Sequence, residues 1–246
     1  MGNWIAGTLA VLFSVLVIAR APGALREPAK VRLWLAHLVM ALSLWLSVTP
    51  VYLAVDAVLG GRNITNLLSH FGFYFIFWLG GAEVALAIGR HDLYTLVHGT
   101  TGVLVLGAGV VSMTVLFIAA APEYSAMGLN PFRDDPLIIL YKVFSFVYPG
   151  FVAFALARPL LGASLGDSGV LGISMRLMAV GFILVPVVPI AHLGELLDPG
   201  YAVVVDVVLY PAIILVAAGV TLALVARLRA IKTSSSELWK QSEQTD

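Results

Sequence analysis

Seven long apolar runs dominate the chain, and short polar stretches separate them. A bilayer core about 30 Å thick requires about 20 apolar residues in helical conformation. Membrane-spanning strands would be about 10 residues long with alternating polarity, so these continuous runs predict helices. The predicted spans are Trp4–Ala19, Trp34–Leu59, His70–Gly89, Thr100–Ala121, Pro136–Leu161, Val170–Leu196 and Tyr201–Ala226. The predicted fold class is therefore an all-α, polytopic membrane protein with a seven-transmembrane-helix bundle.

Composition supports this prediction and limits the partners. Hydrophobic residues make up 60% of the chain and charged residues 11%, whereas a soluble domain carries about 25% charged residues. The lipid bilayer is therefore the expected surrounding. Formal net charge is zero, so no nucleic-acid partner is indicated. Cysteine is absent, which removes disulfides and thiolate ligands from consideration.

The domain organisation predicted from these runs is simple. Residues 1–230 form the seven-helix transmembrane domain, and residues 231–246 form a polar cytoplasmic tail with at most one helical turn. No basic residue precedes the first apolar run, which favours a retained span over a cleaved leader.

The distribution of Lys and Arg predicts the orientation in the cell membrane. Cytoplasmic loops are enriched in these residues. One side of the predicted bundle carries only Arg62 and Arg133. The other side carries Arg20, Arg26, Lys30, Arg32, Arg90, Arg158, Arg176, Arg227, Arg229 and Lys232. The N-terminus is therefore predicted outside the cell and the C-terminus in the cytoplasm.

Several ionisable residues fall near the outer ends of the predicted spans. Charges inside a bilayer cost several kcal/mol unless they are paired or hydrated, and they usually face the bundle interior. The sequence therefore predicts an outward-facing polar cavity, in which Lys142 and Asp206 form an ion pair because they lie deepest. The alternative is structural: an interfacial Asp56 beside Arg62, and an ion pair without a ligand. The predicted cavity residues are Asp56, His70, Lys142, His192, Glu195 and Asp206.

Glu83 is the deepest acidic residue. It follows Gly80 and Gly81, which permit close helix approach, and it lies in the inner half at the level of His37. At this common depth the side chains of Glu83 and His37 could meet. Glu83 is a candidate inner gate or proton carrier, and the alternative is a neutral carboxyl that only hydrogen-bonds a neighbouring helix.

Prolines recur in the outer halves of the spans. A proline lacks a backbone donor and kinks a helix. Kinks at a similar depth would open space in the bundle and free carbonyl groups. The residues concerned are Pro50, Pro149, Pro186, Pro189 and Pro211.

Motifs for cofactor or enzyme chemistry are absent from the sequence. There is no nucleotide-binding loop, zinc-protease motif or hydrolase nucleophile motif, so no enzymatic activity is predicted. Haem ligation would require two imidazoles at one depth, which only His70 and His192 could supply. The prediction is that the protein carries no cofactor and no metal.

Three stretches of the chain resemble a known family. The segment "SVTPVYLAVDAVLGGRNITNLLSH" has Pro50, Asp56, Gly61, Asn63 or Asn66, and His70 at the places of a loose family pattern, and "YKVFSFVYPGFVAFALARPLL" and "GISMRLMAVGFILVP" are similar to its fifth and sixth spans. The family consists of actinobacterial integral membrane proteins grouped as transporters. The resemblance implies a seven-span actinobacterial membrane protein. It covers the family's N-terminal membrane domain, and many members continue into a cytoplasmic domain.

Three functions remain open at this level. The first is a transporter or ligand-binding protein for a small molecule or ion, with the polar cavity as its site. The second is a sensor or regulatory subunit that signals to a cytoplasmic protein partner. The third is a structural or accessory subunit of a larger membrane complex.

Overall fold

A computed structural model describes the backbone of residues 2–243 and the side chains of residues 3–27 and 30–226. Within these residues the regular structure is helical, without a strand, which confirms the all-α prediction. The helices are α1 (Gly2–Arg26), α2 (Pro28–Trp45), α3 (Thr49–Val58), α4 (Ile64–Ala87), α5 (His91–His98), α6 (Thr100–Ala120), α7 (Pro136–Ser145), α8 (Val147–Ser164), α9 (Val170–Leu184), α10 (Val187–Glu195) and α11 (Tyr201–Glu243). A short 3₁₀ segment, Met127–Phe132, precedes α7.

The apolar helices are those of a multi-pass membrane protein. Six segments of the described chain are long and apolar enough to cross a bilayer. Three of them are pairs of consecutive helices: α5 with α6, α7 with α8, and α9 with α10. The bent pair of α2 and α3 makes a seventh if the two helices count as one span.

The second predicted span is not one continuous helix but is divided into α2 and α3. The axes of α2 and α3 differ by 93°, and Val48 between them has an extended backbone with φ −95° and ψ 117°. Pro50 lies in the first turn of α3. Proline has no N–H to donate to the preceding turn, and its ring collides with the carbonyl four residues earlier. A helix therefore ends before it and a new one begins in another direction.

Contacts at the two ends of α2 show how far this helix extends. At its start, Arg32 lies beside Glu83 near the end of α4, with 3.4 Å between Nε and Oε1. Just after its end, Thr49 donates a backbone N–H (3.2 Å) and a hydroxyl (2.9 Å) to Oδ1 of Asn3, at the start of α1. Helix α2 therefore runs antiparallel to α1 and returns to the level at which α1 begins.

The core lies between α4, α8 and α9, and α8 is the most enclosed of these helices. Tyr148, Val152, Leu156 and Leu160 on α8 are fully buried. Glycine allows neighbours to approach closely: a Cβ at Gly81 would lie 2.5 Å from Val152 Cγ1. Such contacts supply the packing that drives helix association in lipid.

The last helix is longer than the sequence predicted. Helix α11 continues from Tyr201 to Glu243 without a break, whereas the apolar span within it ends at Ala226. The segment after Ala226 contains neither Gly nor Pro before Glu243, so nothing in it terminates a helix. The predicted domain boundary at residue 230 therefore does not coincide with a helix end. The final part of the predicted tail, residues 244–246, lies outside the described residues.

We expect Gly109→Ala to destabilise the protein and Gly107→Ala to leave it unchanged or slightly stabilised. A methyl group at position 109 of α6 would collide with the buried ring of Tyr74, whereas position 107 has open space. Overpacking of this kind costs about 1–3 kcal/mol. The free energy of unfolding in detergent, measured for both variants, checks the difference. Equal stability of the two variants would contradict the packing of α6 against Tyr74.

Candidate functional site

Asp56 caps a helix in the structure. It is fully buried at the end of α3, and its carboxylate accepts the backbone N–H groups of Asn63 (2.8 Å) and Thr65 (2.9 Å) at the start of α4. The hydroxyl of Ser125 donates to the same carboxylate. The first N–H groups of a helix have no partner within it, and a negative charge there is stabilising. Asp56 therefore satisfies the first turn of α4, and the suggested pairing with Arg62 is not among the ion pairs of the described residues.

Asn63 extends this cap into a buried polar network. Its backbone is left-handed, with φ 62°, and its Oδ1 accepts the hydroxyl of Tyr52 (2.8 Å) and the N–H of Ala126 (2.6 Å). Its amide group donates to the carbonyl of Tyr124. The network joins α3, the start of α4 and the segment that follows α6. These hydrogen bonds fix the three segments relative to one another, which is a structural role.

The structure brings four of the predicted cavity residues together at one level. We call His70, Lys142, His192 and Glu195 the outer cluster, because they lie toward the side predicted to face out of the cell. Nδ1 of His192 is 2.6 Å from Oε1 of Glu195, and both residues are buried. They lie three residues apart on α10, the spacing that places two side chains on one helix face.

Phe146 holds the outer cluster together. The centroid of its ring is 6.0 Å from the imidazole of His70 and 6.0 Å from that of His192. His70 also packs against Tyr141, with 5.6 Å between ring centroids. Lys142 lies within electrostatic range of Glu195 and His70. The cluster thus combines one cationic side chain, one carboxylate and two imidazoles, which can bind ions or exchange protons.

Breaks in two spans determine where this cluster lies. The chain breaks at Phe146 between α7 and α8, and at Pro186 between α9 and α10. Pro149 and Pro189 follow these breaks and cannot donate a hydrogen bond to the preceding turn. Breaks in the spans therefore coincide with Pro50, Pro149, Pro186 and Pro189, four of the five prolines named above. Pro211 is different, because it lies inside the continuous helix α11.

Lys142 and Asp206 do not form the predicted ion pair. No contact between them within 4 Å is among the ion pairs of the described residues, and Glu195 binds His192 instead. Val205, Val208 and Leu209 of α11 pack against α10. Asp206 is rotated by about 100° from Val205, so its side chain lies beside this contact face and is exposed. Its interaction with Lys142 is a longer-range electrostatic one.

Glu83 pairs with Arg32, and the expected contact with His37 is not formed. The Arg32 guanidinium lies 3.4 Å from the Glu83 carboxylate. His37 bonds to the carbonyl of Leu33 on its own helix and packs against Phe13 of α1, with ring centroids 5.8 Å apart. Five residues along a helix correspond to a rotation of about 140°. Arg32 and His37 therefore face different neighbours.

His98 belongs to an aromatic stack that the sequence analysis missed. Its imidazole lies between Trp78 and Tyr94, with ring centroids 4.6 Å and 5.0 Å apart. Nη1 of Arg32 donates to the Tyr94 hydroxyl at 3.3 Å. We call Arg32, Glu83, Tyr94 and His98 the inner cluster. The spacing of Tyr94 and His98, four apart on a short helix, was the available signal.

The structure also shows where the candidate ligands of a metal or haem lie. His70 and His192 contact the same Phe146 ring, and His192 is already bound to Glu195. Among the described residues, no group of three or more His, Asp or Glu side chains is arranged to hold a metal ion.

A surface cleft of about 460 Å³ lies at the outer ends of α4 and α6. Its lining includes Arg62, Ile64, Phe117 and Glu123. None of the predicted cavity residues lines this cleft, so it is separate from the outer cluster.

Comparison with known proteins adds no relative to this description. No family model, no curated protein and no solved structure matches the chain. The resemblance to the actinobacterial family stays a prediction from the sequence.

We expect Asp56→Ala to reduce the free energy of unfolding by about 2–4 kcal/mol, because two backbone donors and one hydroxyl lose a charged acceptor in a buried place. Asp134→Ala is the matched control, since Asp134 is an exposed acid in the loop before α7. Denaturant unfolding of both variants in detergent measures the difference. If the Asp56 variant were as stable as the Asp134 variant, the capping role would be refuted.

Proposed function

We propose that this integral membrane protein spans the cell membrane seven times and binds a small ionic ligand at the outer cluster, as a transporter or ligand-binding protein. The observation that carries this proposal is the outer cluster itself, in which charged and imidazole side chains meet inside a bundle of broken helices. The N-terminus is proposed outside the cell and the C-terminus in the cytoplasm, as the Lys and Arg distribution predicts.

Seven spans are favoured over six by the position of α2. A re-entrant α2–α3 pair would return to the side from which it started. Instead, Arg32 at the start of α2 lies beside the end of α4, whereas Asp56 on α3 binds the start of α4. Helix α2 has 18 residues and is therefore about 27 Å long, close to the thickness of the hydrocarbon core. We infer that α2 crosses the membrane and that α3 lies across its outer end.

A ligand at the outer cluster is favoured by the state of Lys142. This side chain is only half-buried, and it takes part in none of the ion pairs that the structure describes. A cation at this depth is costly unless it is paired or hydrated. In many transporters, substrates bind near interrupted helices, whose free backbone groups help to coordinate ions. The ammonium group of Lys142 would attract the anionic part of a ligand, and Glu195 would repel a second anion.

The length of α11 supports a second candidate function. The helix continues for 17 residues after Ala226, which corresponds to about 25 Å beyond the span. A rigid extension of this kind could pass a movement of the bundle to a cytoplasmic protein. This observation favours a sensor or regulatory subunit as the alternative.

The topology predicts how single cysteines will react. The chain contains no Cys, so each introduced thiol is unique. In intact cells, a membrane-impermeant maleimide should label Val58→Cys, whereas Glu27→Cys should react only after permeabilisation. Both positions are exposed on the surface of the protein. Leu197→Cys and Leu165→Cys serve as the outer and inner controls, because both side chains are exposed. Equal labelling of the Val58 and Glu27 variants would show that α2 does not cross the membrane.

Ligand binding predicts a thermal shift that depends on Lys142. The probes are glycine, glutamate, acetate and phosphate, each added to the purified protein in detergent. A ligand at 100 times its dissociation constant stabilises the folded state by about 2.7 kcal/mol. We expect at least one probe to raise the melting temperature of the wild type and of Arg133→Met, an exposed outer control. The same probe should not stabilise Lys142→Met.

The thermal-shift experiment can fail in two ways. If no probe raises the melting temperature of the wild type, the outer cluster is not a site for these classes of ion. If a probe stabilises Lys142→Met as much as the wild type, the ligand binds elsewhere.

A further inference from the structure

Three buried polar atoms on α4 and the neighbouring α8 have no hydrogen-bond partner within the protein. They are Nδ1 of His70, the hydroxyl oxygen of Tyr148 and Nε1 of Trp78. Nearly all buried polar groups in proteins bond to another protein group or to ordered water. Three such atoms beside one helix therefore indicate a row of polar positions that water can occupy.

Tyr148 is the central member of this row. It is fully buried, and its ring lies 5.4 Å from that of Tyr74 on α4. The Tyr74 hydroxyl donates to the carbonyl of Phe144, beside the break between α7 and α8. The Tyr148 hydroxyl can both donate and accept a hydrogen bond. It is therefore able to pass a proton from one neighbour to the next.

The spacing along α4 matches a chain of water molecules. His70, Tyr74 and Trp78 are four residues apart and lie along one side of the helix. Each step corresponds to about 6 Å along the axis. Oxygen atoms in a hydrogen-bonded chain are about 2.8 Å apart, so one water between two groups spans a step of about this length.

Titratable groups lie at both ends of the row. At the outer end, His70 lies within electrostatic range of His192, which is bound to Glu195. At the inner end, Trp78 stacks on His98 of the inner cluster. His98 lies within electrostatic range of Glu83, whose side chain reaches the surface with 25% of its area exposed. Imidazole and carboxyl groups can therefore load and release protons on each side.

We propose that the bundle conducts protons along α4, from the outer cluster through water at Tyr148 to His98 and Glu83. This proposal rests on the proposed function and names the proton as the ion that the protein moves. Each transfer is a proton hop between hydrogen-bonded groups. Tyr148 accepts the excess proton of a protonated water while its own proton passes to the next water, which then carries the positive charge, so that the hydroxyl is restored.

A structural role alone gives no reason for the Tyr148 hydroxyl. Phenylalanine fills the same space as Tyr148 and removes only the hydroxyl, which bonds to no protein group. Tyr148→Phe should therefore keep or raise the melting temperature. A loss of proton flux in this variant would separate conduction from folding.

The experiment uses purified protein in liposomes that contain a pH-sensitive dye. An acidic medium outside drives protons inward, and valinomycin with potassium removes the membrane potential. Wild-type vesicles should acidify faster than protein-free vesicles, and Tyr148→Phe and Glu83→Gln should lower the rate at least tenfold. Tyr210→Phe is the matched control, because Tyr210 is 38% exposed on α11 and distant in sequence from the row. Trp78→Phe keeps a ring against His98, removes Nε1 and should also lower the flux.

Wild-type flux equal to that of protein-free vesicles would overturn the proposal. Flux in Tyr148→Phe and Trp78→Phe within twofold of the wild type would overturn the route through these residues. The ligand-binding proposal is tested separately by the thermal shift that depends on Lys142. A thermal shift without proton flux rejects conduction alone, whereas the absence of both rejects the two proposals together.

Discussion

The hydrocarbon core contains no water that could satisfy an exposed polar group. Because of this constraint, every interruption of a helix needs another group of the protein as a hydrogen-bond partner. Each backbone N–H or C=O group without a hydrogen-bond partner costs several kcal/mol unless another group bonds to it. Asp56 supplies that replacement for the first turn of α4, and Tyr74 supplies it for the Phe144 carbonyl beside the break between α7 and α8. The protein can therefore carry irregular backbone inside the bundle because particular side chains reach the interruptions.

The outer cluster follows from the same interruptions. Pro149 and Pro189 force a break in two neighbouring spans, and the first break places Phe146 where its ring meets both imidazoles. His192 and Glu195 satisfy each other within the buried interior, whereas Lys142 lacks such a partner among the described ion pairs. This charge imbalance is the physical basis of the proposed ion binding. The inner cluster is different in kind, because Arg32 already neutralises Glu83 and the rings of Trp78 and Tyr94 enclose His98.

The depth of a residue along its span could be predicted from the sequence, whereas the side of the helix on which the residue lies could not. Counting residues along each apolar run placed His70, His192 and Glu195 at one level, and the structure brings them together. The predicted contacts of Lys142 with Asp206 and of Glu83 with His37 are not formed. Packing of apolar neighbours decides which side of a helix faces the core, as Val205 shows for α11 and Phe13 for the contact with α2. Asp56 was placed correctly near the outer end, but its bonds depend on Ser125, 69 residues later. The same limit applies to the 93° bend, since Pro50 predicts a kink and not its angle.

The hydrogen-bond network around Asp56 and Asn63 has a consequence for the synthesis of the protein. The ribosome releases Asp56 and the first turn of α4 early, but Tyr124, Ser125 and Ala126 emerge only after α6 has been synthesised. During this interval the carboxylate and the Asn63 amide lack their later partners. These groups therefore need water until the loop after α6 closes over them, and water is available at the lipid headgroups.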